Sequence, residues 1–153
     1  MPIVASITKA FDVALDLDST AAVLVCGGQY LLQHREDRPE VAYPGWWSLF
    51  GGAREGAESA EEAIMRELRE ELELDIPNCR HLITCWYEIA FENRITRKAY
   101  FVVELAATQI DRLVLHEGQG MGWFNAAEIR AIADRIVPYD IGILALYEGL
   151  RAP

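Results

Sequence analysis

Residues 51–76 read GGAREGAESAEEAIMRELREELELDI and decide the predicted fold. Within them, residues 57–72 contain no proline or glycine and are rich in alanine, glutamate, leucine and arginine, which predicts a helix. Apolar residues recur at every fourth position and form the stripe that we expect to face the core. This stripe consists of Ala60, Ile64, Leu68 and Leu72.

Three carboxylates share another face of this predicted helix. Glu67, Glu70 and Glu71 stand at positions i, i+3 and i+4, so their side chains project together beside the apolar stripe. Such a cluster repels itself unless it holds a cation, and its hard oxygen donors suit Mg²⁺ or Mn²⁺. A solvated, glutamate-rich face is the alternative, and the spacing argues against it. Arg66 lies four residues before Glu70 and is predicted to organise this region through ion pairs.

The same segment resembles the signature of the Nudix hydrolase family, Gx5Ex7REUxEExGU, in which U is a bulky aliphatic residue. The resemblance spans residues 52–74, and Glu73 stands where the family has glycine. Because glycine there would cap the helix in a left-handed conformation, we expect this helix to continue towards Asp75 and to stop before Pro77. The matching residues are Gly52, Glu58, Arg66, Glu67, Leu68, Glu70, Glu71 and Leu74.

The resemblance implies a metal site and a structural ion pair. Mg²⁺ is the implied cofactor, with Mn²⁺ as a possible substitute. Glu58 and Arg66 are the implied structural pair. The implied metal ligands are the carboxylates of Glu67, Glu70 and Glu71 and the backbone carbonyl of Gly52.

The family also implies a general base, which in many members comes from a loop outside the motif. Glu117 is our candidate because it lies in the glycine-rich segment LHEGQGMGWF, where the backbone is free to approach other groups closely. A solvated loop glutamate is the alternative interpretation of Glu117, and Glu67 is the competing base. The predicted catalytic set is Glu67, Glu70, Glu117 and Arg66.

The flanking segments predict a mixed sheet. Residues 20–26 and 29–34 form a predicted β-hairpin around Gly27 and Gly28. A loop over 35–45, a short strand over 46–50 and a turn at Gly51 and Gly52 lead to the helix. Further predictions are strands at 81–91 and 95–105 joined by Glu92, Asn93 and Arg94, a strand at 121–124, a helix from the Asn125/Glu128 capping box to about Asp134, and a helix from Pro138 to about Leu150.

This order of elements predicts an α+β protein with a mixed β-sheet flanked by helices. The resemblance makes the expectation specific: a Nudix-like α/β/α sandwich in which a loop-helix-loop carries the motif. We expect one domain over residues 1–153.

Charge and composition narrow the partners. The chain of 153 residues carries 14 Lys+Arg against 24 Asp+Glu, a formal net charge of −10. Such a field disfavours non-specific binding to nucleic acid or anionic lipid. No stretch approaches the roughly 18 apolar residues of a membrane span, and the three cysteines form no CxxC motif. We therefore expect a cytoplasmic protein without membrane association, with a homodimer as a reasonable expectation.

The expected activity follows from the resemblance: divalent-metal-dependent hydrolysis of a phosphoanhydride bond in a nucleoside diphosphate linked to another group. One alternative is a non-catalytic nucleotide-sensing module of the same fold, and another is an isomerase acting on prenyl diphosphates. A pure binder has no need for the like-charge cluster, which favours the enzyme. The nucleotide itself stays open. The predicted substrate-binding residues are Trp46, Trp47 and Arg54.

Overall fold

The computed structural model describes residues 17–89 and 94–151. Within these residues the strands are β1 (Leu17–Cys26), β2 (Gln29–His34), β3 (Trp47–Ser48), β4 (Phe50–Ala53), β5 (Arg80–Ile89), β6 (Arg94–Glu104) and β7 (Gly120–Asn125). The α-helices are α1 (Ala60–Leu72), α2 (Ala107–Ile110), α3 (Ala126–Ala131) and α4 (Pro138–Arg151), and a 3₁₀ turn covers Ala133–Arg135.

Strand β1 lies at the centre of a mixed sheet. It pairs antiparallel with β2 and β4 and parallel with β6, while β2 also pairs with β3 and β7, and β6 with β5. The β1–β2 hairpin is confirmed, with Gly27 and Gly28 in its turn at φ of 56° and 76°. These positive values are what a two-residue hairpin turn requires.

Helices cover both faces of the sheet. Because side chains alternate along a strand, Ala21, Val23 and Val25 face a core shared with α3 and α4. Ala22 and Leu24 face the opposite core, which packs against the apolar stripe of α1. The predicted α/β/α arrangement of a mixed sheet flanked by helices is therefore confirmed.

The segment before α1 differs from its prediction. Gly51 and Gly52 lie within strand β4, paired with Ala21 and Thr20 of β1, and not in a turn. A Cβ at Gly51 would lie 2.1 Å from the Thr20 carbonyl oxygen, so only glycine permits this pairing. The predicted strand over 46–50 is replaced by β3 and β4.

Helix α1 begins at Ala60 and not at residue 57. The Ser59 hydroxyl accepts a hydrogen bond from the backbone N–H of Glu62 at 3.1 Å, and the Glu62 carboxylate accepts one from the Ser59 N–H at 2.7 Å. This capping box satisfies two N–H groups that the helix leaves free. It therefore fixes the start three residues later than predicted.

The predicted continuation of α1 towards Asp75 is wrong. The helix ends at Leu72, and Glu73 caps it in the left-handed conformation, with φ 52° and ψ 29°. Its N–H donates to the Arg69 carbonyl at 3.0 Å, and the Leu74 N–H donates to the Leu68 carbonyl at 3.2 Å. These capping bonds and the burial of Leu74 offset a conformational cost of about 1 kcal/mol for a residue other than glycine.

The remaining elements follow the predictions closely. The long strands and β7 form as expected, although Arg94 belongs to β6 and residues 90–93, which include the rest of the predicted connection, lie outside the described residues. The Asn125/Glu128 capping box forms, but α3 ends at Ala131 and gives way to the 3₁₀ turn. The short helix α2 was not predicted.

Within residues 17–89 and 94–151, the helices are too short or too polar to cross a membrane. The three cysteines are free thiols, each partly buried.

Candidate active site

The acidic face of α1 holds three carboxylates in three different environments. The Glu70 side chain is 59% exposed and the Glu67 side chain only 13%, whereas Glu71 is 4% exposed. Because α1 packs its apolar stripe onto the sheet, Glu71, which directly precedes Leu72 of that stripe, lies at the edge of the core. The sequence placed these glutamates on one face, and the structure shows how differently they are buried.

Arg66 links the helix to the segment before it. Its guanidinium donates to both Glu58 carboxylate oxygens, at 2.7 and 3.1 Å. It also donates to Glu67 at 2.8 Å, to Glu70 at 3.2 Å and to the Ala53 carbonyl at 2.9 Å. The hydrogen bonds from Arg66 hold the pKa of Glu58 below its usual value, while those to Glu58 raise the pKa of Arg66.

The backbone of β4 lies directly against one of these carboxylates. A Cβ at Gly52 would lie 2.5 Å from the carboxyl carbon of Glu67, so a side chain there would displace the carboxylate. The Gly52 carbonyl accepts a hydrogen bond from the Thr20 hydroxyl at 3.4 Å. The glycine thus brings a backbone carbonyl and a carboxylate to the same edge of the sheet.

Glu71 is buried with one of its carboxylate oxygens unpartnered. Its Oε2 atom has no hydrogen-bond partner. Burial raises the pKa of Glu71 to about 9, and the charges of Glu117 and Glu67 act in the same direction. Burial also raises the pKa of Glu67, with Arg66 opposing the shift.

The loop that carries Glu117 is fixed beside α1. The His116 N–H donates to the Glu71 carbonyl at 2.8 Å, and the Gln33 side-chain amide donates to the Glu117 carbonyl at 3.0 Å. The Glu117 side chain is exposed but close enough for its charge to raise the pKa values of Glu67 and Glu71. The structure therefore brings this predicted base and the helix carboxylates together, although residue 117 is far from them in sequence.

The donor set fits a hard divalent cation. A buried, unpartnered carboxylate oxygen beside two further carboxylates is stabilised when a cation neutralises the group. Within residues 17–89 and 94–151, no three His, Cys, Asp or Glu side chains are arranged to hold a metal ion as they stand. Arg66, which donates to Glu67 and Glu70, is the positive group nearest to these two carboxylates.

A cleft of about 260 Å³ opens beside this carboxylate cluster. Its lining includes β4 from Gly51 to Ala53, together with Glu117. The lining also includes five residues for which the sequence predicted no role: Tyr43, Ser48, Lys98, Tyr139 and Asp140. The lining combines apolar surface with a few polar and charged side chains, as small-molecule sites commonly do.

A carboxylate and an ammonium lie together in the lining of the cleft. Asp140 is 1% exposed and accepts hydrogen bonds from the Leu49 N–H at 3.0 Å and the Tyr100 hydroxyl at 3.4 Å. The Lys98 ammonium lies 3.7 Å from the Asp140 carboxylate and 5.4 Å from the centre of the Tyr139 ring. The pair places an acceptor and a donor next to an aromatic surface.

The hydroxyl of Ser48 also lines this cleft. Ser48 is 2% exposed, and its Oγ atom has no hydrogen-bond partner. A buried hydroxyl left unpaired costs free energy. A ligand or water molecule in the cleft would supply the missing partner.

The predicted substrate-binding residues occupy other surroundings. Among the described residues, those lining the cleft include neither Trp46 nor Trp47. The Trp47 ring stacks on His34 with centroids 4.5 Å apart, and Trp46 lies 5.3 Å from the Tyr43 ring. Arg54 donates to Asp18 and to the Glu58 carbonyl.

The cleft residues had only weak signals in the sequence. Lys98 is one of two lysines in the chain, but a lone lysine in a predicted strand is expected to face the solvent. Asp140 follows Pro138 in the first turn of a predicted helix, where an acidic residue is already explained by the helix dipole. Their juxtaposition depends on how β6 and α4 pack, which local patterns do not encode.

Fold and site together define a class of protein: an α/β/α domain in which a carboxylate-bearing helix lies against β4, and β4 in turn lines a cleft. A family model of the NUDIX domain matches residues 16–146. The CTP pyrophosphohydrolase of Escherichia coli (strain K12) is 31% identical over 137 residues, which cover 89% of this chain and 94% of that protein. The chain belongs to the Nudix family, and it is a Nudix hydrolase of the nucleotide pyrophosphohydrolase kind.

Solved structures agree with this assignment. The solution structure of the E. coli ORF135 protein is similar with a TM-score of 0.70 and 28% identity, over 89% of this chain and 91% of that one. The crystal structure of a MutT protein from Methanosarcina mazei Go1 gives a TM-score of 0.76 at 18% identity, over 92% of this chain and all of that one. The second likeness concerns the fold alone. Nudix hydrolases generally require a divalent metal and act on small nucleotide derivatives.

Proposed function

We propose that this protein is a Mg²⁺-dependent pyrophosphohydrolase of nucleoside triphosphates, with a cytosine nucleotide as its preferred substrate. The observation that carries the proposal is the buried Glu71 carboxylate, which has one oxygen without a hydrogen-bond partner and lies close to Glu67 and to Glu117, a residue of the cleft lining. A site that concentrates negative charge binds a nucleotide polyphosphate only through a bridging cation. We infer that Glu67, Glu70, Glu71 and the Gly52 carbonyl hold this ion.

The residues then have distinct tasks. A bound Mg²⁺ supplies positive charge for the phosphate oxygens and lowers the pKa of water at the site. Glu117 accepts a proton from the attacking water, for which an exposed side chain on a fixed loop is well suited. Arg66 keeps Glu67 and Glu58 in place from the side of the helix.

Glu117→Gln is expected to lower kcat at least about a hundredfold, the size of a general-base effect. Activity within a few-fold of wild type would exclude Glu117 as the base and favour Glu67.

Two observations support the cytosine base. The relative that is 31% identical is named a CTP pyrophosphohydrolase. In the cleft, the Asp140 carboxylate is suited to accept a hydrogen bond from the exocyclic amino group of cytosine, and the adjacent Lys98 ammonium to donate to its ring carbonyl. Uracil presents a second carbonyl in place of that amino group, so Asp140 would repel it.

The test is turnover over a matched panel. CTP, UTP, ATP, GTP and ADP-ribose are incubated with Mg²⁺, with Mn²⁺ and with EDTA, and the nucleoside monophosphate and pyrophosphate are quantified. We expect metal-dependent release of both products from CTP, with a kcat/KM at least about tenfold above that for UTP, because an unpaired polar contact costs this much or more. Cleavage of other nucleotides in preference to CTP would overturn the cytosine assignment.

A variant pair tests the site itself. Glu67→Gln should abolish turnover, whereas Glu61→Gln, which removes the same charge from the exposed face of α1, should leave it unchanged. Tight nucleotide binding by the wild type without any turnover would instead establish the nucleotide-sensing module.

Other proposals concern the setting of the protein. The net charge of −10 supports a small-molecule substrate rather than non-specific binding to nucleic acid. A cytoplasmic location, the absence of membrane association and a homodimeric state remain predictions. Cell fractionation and light scattering on the purified protein test them.

A further inference from the structure

We propose that Asp18, at the beginning of β1, is a positioning residue for the metal-binding helix and that it acts through Arg54. Neither residue belongs to the matched signature positions. The inference rests on the proposed function, because it assigns Asp18 and Arg54 a role in placing the metal ligands. It also gives Arg54 a task different from the substrate contact expected from sequence.

The Asp18 carboxylate holds two arginines. Arg54 donates to its Oδ2 atom at 2.6 Å, and Arg97 on the neighbouring strand β6 donates to Oδ1 at 3.2 Å and also to Oδ2. The Asp18 side chain is only 26% exposed. Water therefore weakens the attraction between Asp18 and the two arginines less than it would at a fully exposed site. Although burial acts to raise the pKa of Asp18, the hydrogen bonds and charges of Arg97 and Arg54 outweigh it and hold the pKa below its usual value.

Of these two arginines, Arg54 is the one that contacts Glu58, in the segment just before α1. The Arg54 guanidinium turns from Asp18 to the Glu58 carbonyl, to which Nε donates at 3.1 Å and Nη2 donates as well. Its own N–H donates to the Asp18 carbonyl at 2.8 Å. Asp18 therefore fixes both the side chain and the backbone of Arg54, and Arg54 in turn holds the Glu58 carbonyl.

Glu58 transmits this placement to the carboxylates. Its side chain accepts the Glu55 N–H at 2.7 Å and both Arg66 donors. Arg66 in turn donates to Glu67 and Glu70. A continuous series of hydrogen bonds thus runs from β1 to the proposed metal ligands, and groups that orient ligands in this way commonly affect metal affinity.

The test compares four variants with the wild type. These are Asp18→Asn, Arg54→Met, the double variant, and Arg97→Met as the matched control, since Arg97 shares the same carboxylate without a contact to Glu58. Mn²⁺ affinity is measured by electron paramagnetic resonance without nucleotide, and kcat and KM are measured for CTP. Circular dichroism and urea unfolding report folding and stability.

We expect Asp18→Asn and Arg54→Met each to weaken Mn²⁺ binding about tenfold and to lower kcat by a similar factor, with KM for CTP unchanged. The double variant should be no worse than either single one, because both act through the same contact. Arg97→Met should lose stability but stay within about twofold of wild type in Mn²⁺ affinity and kcat.

Two patterns would overturn the inference while leaving the proposed function intact: unchanged Mn²⁺ affinity and kcat in both single variants, or a raised KM for CTP in Arg54→Met alone, which would make Arg54 a substrate contact. Additive effects in the double variant would also contradict it. Failure of the wild type to bind Mn²⁺ would instead count against the proposed function.

Discussion

Glu70 and Glu71 are neighbours in sequence with opposite surroundings. The Glu70 side chain is mostly exposed and paired with Arg66, whereas Glu71 is buried with an unpartnered oxygen. Helical spacing alone predicts that both project near one face. Which of them is buried at the edge of the core depends on the contact between α1 and the sheet. The sequence therefore predicted which acids share a face, but not which of them is buried.

The buried carboxylate should reveal itself in stability measurements. In EDTA, we expect Glu71→Gln to have a Tm equal to or above that of the wild type, because burial raises the pKa of Glu71 to about 9 and a neutral amide avoids the free-energy cost of neutralising a buried carboxylate. Added Mg²⁺ should raise the wild-type Tm by several degrees and the variant Tm far less. Scanning calorimetry with and without Mg²⁺ measures both. Glu61→Gln serves as the control, and an equal Mg²⁺ response in all three proteins would contradict the site.

Asp18 should make the stability of the metal-free protein depend on acid pH. Its folded pKa lies below the unfolded value, so its contribution is fully present above about pH 4 and is lost as the pH falls through the folded pKa. Asp18→Asn should therefore be less stable than wild type by about 1 kcal/mol at pH 7, allowing for partial exposure. The gap should be smaller at pH 3, because there the carboxylate begins to take up a proton. Urea unfolding in EDTA at both pH values checks this; a constant gap would mean that packing, not charge, is lost.

At the scale of the element, the end of α1 shows how a signature position tolerates substitution. The structure keeps the left-handed cap that glycine normally supplies, although Glu73 occupies it. The Glu73 carboxylate contacts His116 at 2.7 Å, but both side chains are about half exposed, and such pairs contribute little. Packing of Leu74 against the core therefore explains the retained turn better than the ion pair does.

A glycine at position 73 should stabilise the protein. Glu73→Gly relieves the left-handed strain, whereas Glu73→Ala loses the carboxylate and keeps the strain. We expect the glycine variant to exceed the alanine variant by about 1 kcal/mol in the free energy of unfolding, measured by urea denaturation. Equal stability of the two variants would show that the left-handed conformation carries no strain.

For the whole molecule, sequence patterns predicted what is local. The glycine pair identified the first hairpin, Asn125 with Glu128 identified a helix start, and the spacing of the glutamates identified the acidic face. None of these local patterns predicted the cleft, because Lys98 and Asp140 come together only through the packing of β6 and α4. The β4 pairing of Gly51 was missed for the same reason, since it depends on β1.

The overall charge should make nucleotide binding depend on the metal. At a net charge of −10, and with several acidic side chains close together beside the cleft, a nucleotide triphosphate is repelled unless a cation bridges it to the protein. We expect EDTA to weaken CTP binding at least about a hundredfold, because a divalent cation contributes several kcal/mol to such a contact. Titration calorimetry with Glu117→Gln, which slows turnover without removing a proposed metal ligand, measures this. Unchanged affinity in EDTA would contradict a metal bridge.

The parallel pairing of β1 with β6 has a consequence for the newly made chain. Asp18 lies opposite Arg97, 79 positions later, so β1 is translated long before the strand that covers one of its edges. Until residue 104 has left the ribosome, that apolar edge is open to other chains, and pairing over such a distance is slow. We therefore expect aggregation of this chain to begin during synthesis rather than from the finished fold.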